Sequence, residues 1–271
     1  QNLHPEAIFH LAADHGGRGY IDTHQVAGAR NLAIDARVFA YALERRAKVV
    51  YASSGCVYPL DLQTESSSKM PLHESNVGPP YWADNLYGWA KLMGEMSLRA
   101  YYKEAGLKSV SLRYFTVYGP RCGLTQAIMA LTAKVYSQQS PLEIWGSGKQ
   151  IRNWTYVDDI VDGTILAAER VDNAEAINLG TQEPTSVIGA LDLISGALPG
   201  RPILEVARNR KRPTGPYHRV CDNSKAKSLL DWEPKVLIAE GIPKAVAWYI
   251  SKYTPDEAKK AIALAYLYHL A

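Results

Sequence analysis

The sequence predicts an α/β protein whose strands run parallel in one main sheet, and three observations carry that expectation. Short apolar runs alternate with amphipathic stretches over the first 120 residues. After Pro120 the rhythm changes, and the elements become shorter and are divided by glycine-rich turns. The 271 residues are 47% hydrophobic and 21% charged, which suits one large globular domain or a domain and a half.

The first run, AIFHLAA (7–13), is apolar throughout and reads as a buried strand. It leads into HGGRG (15–19), the place where a dinucleotide-binding fold carries its phosphate loop. That loop is GxGxxG opening a helix, with an acid about 20 residues on. Glycines at 16, 17 and 19 fit poorly, and helical periodicity begins only near Val26. VAGARNLAIDARVFAYALERRA (26–47) keeps apolar residues three and four apart with no proline, which predicts a helix. KVVYASS (48–54) is the second buried strand. DNLYGWAKLMGEMSLRAYYKEAGL (84–107) is the second helix, with Gly106 as its stop, and SVSLRYFTVYG (109–119) the third strand.

Further on, TQAIMALTAKVYSQ (125–138) predicts a helix, and LEIWGSGKQIRNWTYV (142–157) a turn and strand. A helix at DDIVDGTILAAERV (158–171) and a short strand at AINLG (176–180) follow. The basic, proline-rich ARNRKRPTGPYHRV (207–220) precedes a helix and LLDWEPKVLIAEGIPKAVAWYISKY (229–253). The tail TPDEAKKAIALAYLYHLA (254–271) opens on a Thr cap, Pro at the next position and acids in the first turn. It reads as an amphipathic helix packed on its own domain, or as an interaction segment.

Composition narrows the function classes. Thirty Lys and Arg against 27 Asp and Glu leave a net charge of +3, too small to imply a nucleic-acid partner. No apolar run reaches 18 residues, so no membrane span is expected, and QNLHPE before the first apolar run does not resemble a signal peptide. Cys56, Cys122 and Cys221 form no CxxC pair, which points to a reducing cytosol. The seven histidines show no ligand spacing, so no metal is expected. GSGKQ (146–150) lacks the Ser or Thr of a nucleotide-triphosphate loop and runs into a strand rather than a helix. RNRKR (208–212) reads as a solvated loop or a mobile basic loop near a diphosphate.

Tyr87 and Lys91 stand four apart on one helix face. An ammonium beside a phenol lowers the phenol's pKa from about 10, and the phenolate can then take a hydroxyl proton while hydride leaves the carbon beneath. Taken alone, the same spacing suits a half-buried tyrosine beside a solvated lysine. Context comes from Ser53, Ser54 and Cys56, at the C-terminal end of a buried strand, where open α/β sheets bind ligands. There Ser54 is suited to bond the reacting oxygen. Cys56 is either a small apolar packing residue or a thiol that exchanges a proton with an acidic carbon.

In order along the chain, FHLAA (9–13), YASSGCVYP (51–59), YGWAK (87–91), LRYFTVYGP (112–120), GSGKQIRNWTYVDDIV (146–161) and INLG (177–180) resemble one family. It is the extended short-chain dehydrogenase/reductases that epimerise, dehydrate or reduce nucleotide-diphosphate sugars. The likeness runs from about residue 7 to about 249, and is greatest to the GDP-mannose 3,5-epimerases, then to the GDP-fucose synthases. It implies a Rossmann-type doubly wound parallel sheet with a smaller mixed α/β substrate domain. Residues 1–120 would be the remainder of the NAD(P)-binding domain and 121–253 mainly the sugar-nucleotide region, with some segments returning to the first; 254–271 would be a helical tail. FHLAA resembles the family's fourth strand, so about two βαβ units of about 30 residues each are expected before Gln1.

The resemblance also assigns residues. Tyr87 and Lys91 match the catalytic pair, Ser54 the active-site serine and Cys56 the proton-transfer cysteine of the 3,5-epimerases. Leu11, Ala12, Ala13, Asn31, Ser53, Tyr87, Lys91, Tyr114, Phe115 and Val117 match positions that hold NAD, with NADP as the alternative. His15, Gly16, Gly17 and Arg18 match a loop lining the sugar pocket; Gln150, Arg152 and Arg219 match positions gripping the diphosphate. The implied protein is a cytoplasmic homodimer that epimerises a nucleotide-diphosphate hexose through a transient 4-keto sugar. The alternatives are an NADPH-dependent reductase, a 4,6-dehydratase, or a non-catalytic sugar-nucleotide-binding protein. There are two departures. The family's glycine-rich NAD fingerprint is absent, and YGPRCGLTQAIMALT (118–132) lacks the proton-donor lysine of the 3,5-epimerases, none occurring before Lys134.

Overall fold

Alternation of strands and helices is realised from the first element. The computed structural model describes residues 4–67, 70–202 and 205–268. Its first half holds β1 (Ala7–His10), α1 (Arg18–Thr23), α2 (Gln25–Arg45), β2 (Lys48–Ser54), α3 (Asn85–Ala105) and β3 (Ser109–Tyr114). There follow β4 (Val117–Tyr118), α4 (Ala127–Tyr136), β5 (Leu142–Trp145), β6 (Ile151–Arg152), β7 (Thr155–Tyr156), α5 (Val157–Arg170) and β8 (Asn173–Leu179). The remainder is β9 (Thr185–Ser186), α6 (Val187–Ala197), β10 (Val206–Asn209), β11 (His218–Arg219), α7 (Ser224–Leu230), α8 (Ile238–Lys252) and α9 (Pro255–Tyr268).

The main sheet has the order β1-β2-β3-β8, every pair parallel. Successive side chains of a strand point to opposite faces, so β2 serves two cores at once. Val49 and Tyr51 pack with Phe39 of α2 and Leu98 of α3, while Val50 packs with Ile160 of α5 and Leu230 of α7. Helices on both faces make this a Rossmann-type arrangement. The rest is a smaller mixed unit. α4, α6, α8 and α9 enclose a core with Ile144, Leu191 and Val246; β5 pairs with β10, and β6 lies between parallel β11 and antiparallel β9.

Some expectations are corrected. β1 stops at His10, three residues early, where Leu11 N bonds back to Phe9 O at 3.2 Å. Among the described residues β1 is an edge strand, and Phe9 and Leu11 stand 49% and 58% exposed, not buried. The third strand breaks after Tyr114, because Thr116 takes φ +35° and turns the chain so that β4 pairs with β7 instead. A short helix, α1, occupies part of the expected loop. α6 lies in a stretch where no helix was expected. The tail is helical as expected: Thr254 and Glu257 close a reciprocal cap, and α9 packs on α4. Residues 269–271 of that expected tail lie outside the described residues. Among the described residues, no helix is long and apolar enough to cross a bilayer.

Candidate active site

A cavity of about 1010 Å³ opens at the C-terminal ends of the main-sheet strands and runs to α4, β5 and α9. Ser54 ends β2, and the chain turns at once into a short helical turn, Gly55–Val57, carrying Cys56. Ser54 Oγ accepts from Cys56 N at 3.1 Å and is also hydrogen-bonded to the Tyr87 hydroxyl. The approach is close because Gly88, which follows Tyr87, has no side chain. A Cβ there would stand 2.2 Å from the Cys56 carbonyl oxygen. Helix α3 thus lies against the turn, and Tyr87, Ser54 and Cys56 share one wall of the cavity.

The expected effect of Lys91 on Tyr87 is not what sets the phenol's state here. Burial pushes the Tyr87 hydroxyl up, Cys56 and Asp35 push the same way, and the Ser54 bond opposes them. The Lys91 ammonium lies over two rings, 4.7 Å from the Tyr51 centroid and 5.9 Å from that of Tyr87. Burial lowers its own pKa and Asp35 raises it. Lys91 lines the cavity and has no hydrogen-bond partner among the described residues, so its three N–H donors are available to a ligand's hydroxyls. With the apolar surfaces of Leu11, Ala13 and Val117 on the same cavity, these donors fit the ribose and nicotinamide of a dinucleotide.

Three guanidiniums gather beside Cys56. Arg219 donates from Nη1 to Cys56 Sγ (3.2 Å), from Nε to Gln63 Oε1 (2.6 Å) and from Nη2 to Asp84 Oδ2 (2.9 Å). Arg18 reaches the same Asp84 oxygen at 2.6 Å and holds Asp22 at 2.7 Å. Among the described residues, Arg152 is bound only to backbone carbonyls, those of Ile151 and Thr214. Burial acts to raise Asp84, but Arg219 and Arg18 outweigh it and hold its carboxyl below the usual range. Burial, then the charges of Arg219 and Arg18, push Arg152 down, while Asp84 and Cys56 oppose them. Such a cluster suits a polyanion, since arginine forks match phosphate oxygens in pairs.

Most expected site residues come together. Leu11, Ala13, His15, Gly16, Gly17, Arg18, Ser53, Ser54, Cys56, Tyr87, Lys91, Tyr114, Val117, Gln150, Arg152 and Arg219 all line the cavity. Gly17 is needed where it stands, since a Cβ would meet Thr125 O at 1.7 Å. Three of the expected cofactor residues, Ala12, Asn31 and Phe115, stand outside the cavity lining. Phe115 is fully buried in a core with Tyr58 and Leu92. Asn31 is fully buried and clamps Asp14, donating to its carbonyl at 3.0 Å and accepting from its N–H at 2.7 Å. The Ser53 hydroxyl donates its proton to Glu95 Oε1 at 2.5 Å, so toward a ligand its oxygen can only accept.

Sequence reasoning missed Asp84, Gln63 and the far end of the cavity. Asp84 sits at the N-cap position of α3, but its carboxylate makes no capping bond and is held by Arg18 and Arg219, partners far away in the sequence. At the far end Glu143 accepts from Trp145 Nε1 (3.1 Å) and the Tyr266 hydroxyl (3.3 Å), and Arg212 lies 5.7 and 5.8 Å from those two rings. Lys134 donates to the Glu143 carbonyl at 2.7 Å, and burial pushes it down to about 8.

Comparison with known proteins agrees with this geometry. A model described as the NAD dependent epimerase/dehydratase family matches residues 1–180. The chain is 30% identical over 259 residues to GDP-mannose 3,5-epimerase of Arabidopsis thaliana, covering 93% of this chain and 67% of that protein. It is 30% identical over 257 residues to UDP-glucuronate 4-epimerase of Thermodesulfobacterium geofontis, covering 89% and 72%. Against the crystal structure of UDP-glucuronic acid 4-epimerase from Bacillus cereus, in complex with UDP-glucuronic acid and NAD, the TM-score is 0.80 at 27% identity, covering 92% and 76%. The chain spans about two thirds of the length of the GDP-mannose 3,5-epimerases it matches.

Proposed function

The chain belongs to the NAD-dependent epimerase/dehydratase family, and from that premise we propose that it epimerises a nucleotide-diphosphate hexose through a transient 4-keto sugar. The observation that carries the reading is the meeting of Tyr87, Ser54 and Cys56 on one cavity wall, with Arg219 joining Cys56 to the arginine cluster. NAD, with NADP as the alternative, would be held by Lys91, Leu11, Ala13, Tyr114 and Val117, which line the cavity. When bound, it supplies reversible removal of a hydride from the hexose carbon. In this reading residues 1–120 are the remainder of the NAD(P)-binding domain, residues 121–253 are mainly the sugar-nucleotide region with some segments returning to the first, and the enzyme is a cytoplasmic homodimer.

The chain's own residues supply the rest. Arg18, Arg152 and Arg219 hold the diphosphate, with Gln150 and the His15–Arg18 loop beside it. Tyr87 takes the proton of the reacting hydroxyl, assisted by the Lys91 charge, while Ser54 bonds the same oxygen. A ketone acidifies the neighbouring C–H bonds, and the Cys56 sulfur takes a proton from one of them or delivers one to it. Lys134 lies against the Tyr266 ring, 5.3 Å from its centroid, and is assigned no part in that exchange.

The test is incubation of the full-length protein with GDP-mannose and other nucleotide-diphosphate hexoses in deuterated water. Epimer formation with deuterium on carbon and no net redox is expected. Stoichiometric loss of NADPH would instead mark a reductase. Tyr87→Phe is expected to lower turnover by about 10²- to 10⁴-fold, and undiminished turnover would overturn the reading.

A further inference from the structure

Behind the Tyr87 and Lys91 pair lies a buried polar group that the proposed reaction does not use. Asp35 of α2 is 3% exposed. The Tyr51 hydroxyl donates to its Oδ2 at 2.6 Å, and His10 Nε2 lies 2.8 Å from its Oδ1. His10 is 3% exposed and Tyr51 fully buried, so three elements, β1, α2 and β2, close on one carboxylate. The face of that same Tyr51 ring carries the Lys91 ammonium, 4.7 Å from the centroid.

A buried ammonium with no carboxylate in contact loses its hydration and drifts toward the neutral amine. An aromatic face offsets part of that loss. A phenol that donates to a carboxylate is polarised by it, which makes its ring a better seat for a cation. The arrangement places a negative charge on one side of Tyr51 and a positive one on its face. We propose that Asp35, acting through Tyr51, is the fixed counter-charge that keeps the Lys91 ammonium charged and seated beside Tyr87. Asp35 and Tyr51 are then positioning residues for the proton-transfer pair. This inference rests on the reading of Tyr87 and Lys91 as that pair.

Other charged groups do not replace Asp35. Lys91 is faced by Tyr51 from β2, Asp35 from α2, Tyr87 from its own helix and His15 from the loop after β1. Cys56 faces Tyr87, and Glu95 acts on Tyr51 but is engaged by Arg113 and Ser53. Asp35 is the group whose charge favours the protonated Lys91 against the burial that opposes it.

The test follows Lys91 itself. In full-length protein carrying isotope-labelled lysine, its side-chain resonance is titrated by NMR, with Lys91→Arg used for assignment. Asp35→Asn keeps the shape and one accepting oxygen; Tyr51→Phe keeps the ring but severs it from the carboxylate. Asp35→Asn is expected to lower the Lys91 midpoint by about one pH unit, and Tyr51→Phe by a smaller step. In both variants kcat falls more than KM rises, by about tenfold for Asp35→Asn, and the alkaline limb of the kcat profile moves down with the Lys91 midpoint. A merely structural brace would leave that midpoint in place. An unchanged midpoint in either folded variant overturns the proposal, and Tyr51→Phe keeps the test decisive if Asp35→Asn does not fold. Because the titration needs no turnover, a displaced midpoint in a protein without epimerase activity would overturn the epimerase reading alone.

Discussion

Arg219 holds the Cys56 sulfur at 3.2 Å with one arm of its guanidinium and the Asp84 carboxylate at 2.9 Å with another. A single residue from β11 therefore joins the thiol just after β2 to the acid at the start of α3 and, through it, to Arg18. In the proposed reaction, substrate binding and thiol placement would be coupled. Arg219→Lys keeps the charge but cannot span Gln63, Cys56 and Asp84 together. It is expected to raise KM for the sugar nucleotide and to slow carbon-bound deuterium exchange by about tenfold or more. Steady-state kinetics and mass spectrometry of the sugar check both.

Gly88→Ala would force a methyl to within 2.2 Å of the Cys56 carbonyl oxygen and 3.3 Å of its Cβ. The backbone on both sides leaves no flexible side-chain end to move aside. The expected cost is about 1–3 kcal/mol of stability, together with a loss of turnover as Tyr87 and Cys56 are pushed apart. Urea unfolding beside activity at saturating substrate separates the two effects.

Glu95 and Arg113 are about 1% and 2% exposed and form a two-pronged pair, Nε to Oε1 at 2.9 Å and Nη2 to Oε2 at 2.7 Å. Glu95→Gln leaves the Arg113 charge buried without its partner. A loss of about 3–5 kcal/mol is expected, read from the denaturant midpoint. Replacing both by apolar residues of similar volume is expected to cost less than the single change, because no lone charge remains.

Lys134 gives a pH dependence of definite sign. Its folded pKa is pushed down to about 8 against an ordinary 10.5, so between those values the unfolded chain binds more protons than the folded one. Its contribution to stability therefore rises as pH rises from about 8 to about 10. Lys134→Met removes the titration. The difference in unfolding free energy between wild type and variant is expected to grow in favour of the wild type across that window. A flat difference would show that the amine is hydrated in the folded protein.

Several parts of this molecule could be read from residue order alone. β2, α3 with its Gly106 stop, and the alternation that makes the first half a parallel sheet follow from local periodicity and from the left-handed φ of +69° that Gly106 supplies. The Tyr87 and Lys91 pair was legible because a helix puts positions four apart on one face. Tertiary structure alone decided what those residues meet. Asn31 turned out to clamp Asp14, Phe115 to fill a core, and Ser53 to serve Glu95. Asp84, which the sequence reading did not single out, became the acid between two arginines 66 residues before it and 135 after. Periodicity reports which face of an element is buried, but not which distant charge that face will oppose. The state of a buried Tyr87, Lys91 or Asp84 depends on its desolvation and on neighbours within a few ångströms, and those neighbours are chosen only when the strands and helices pack.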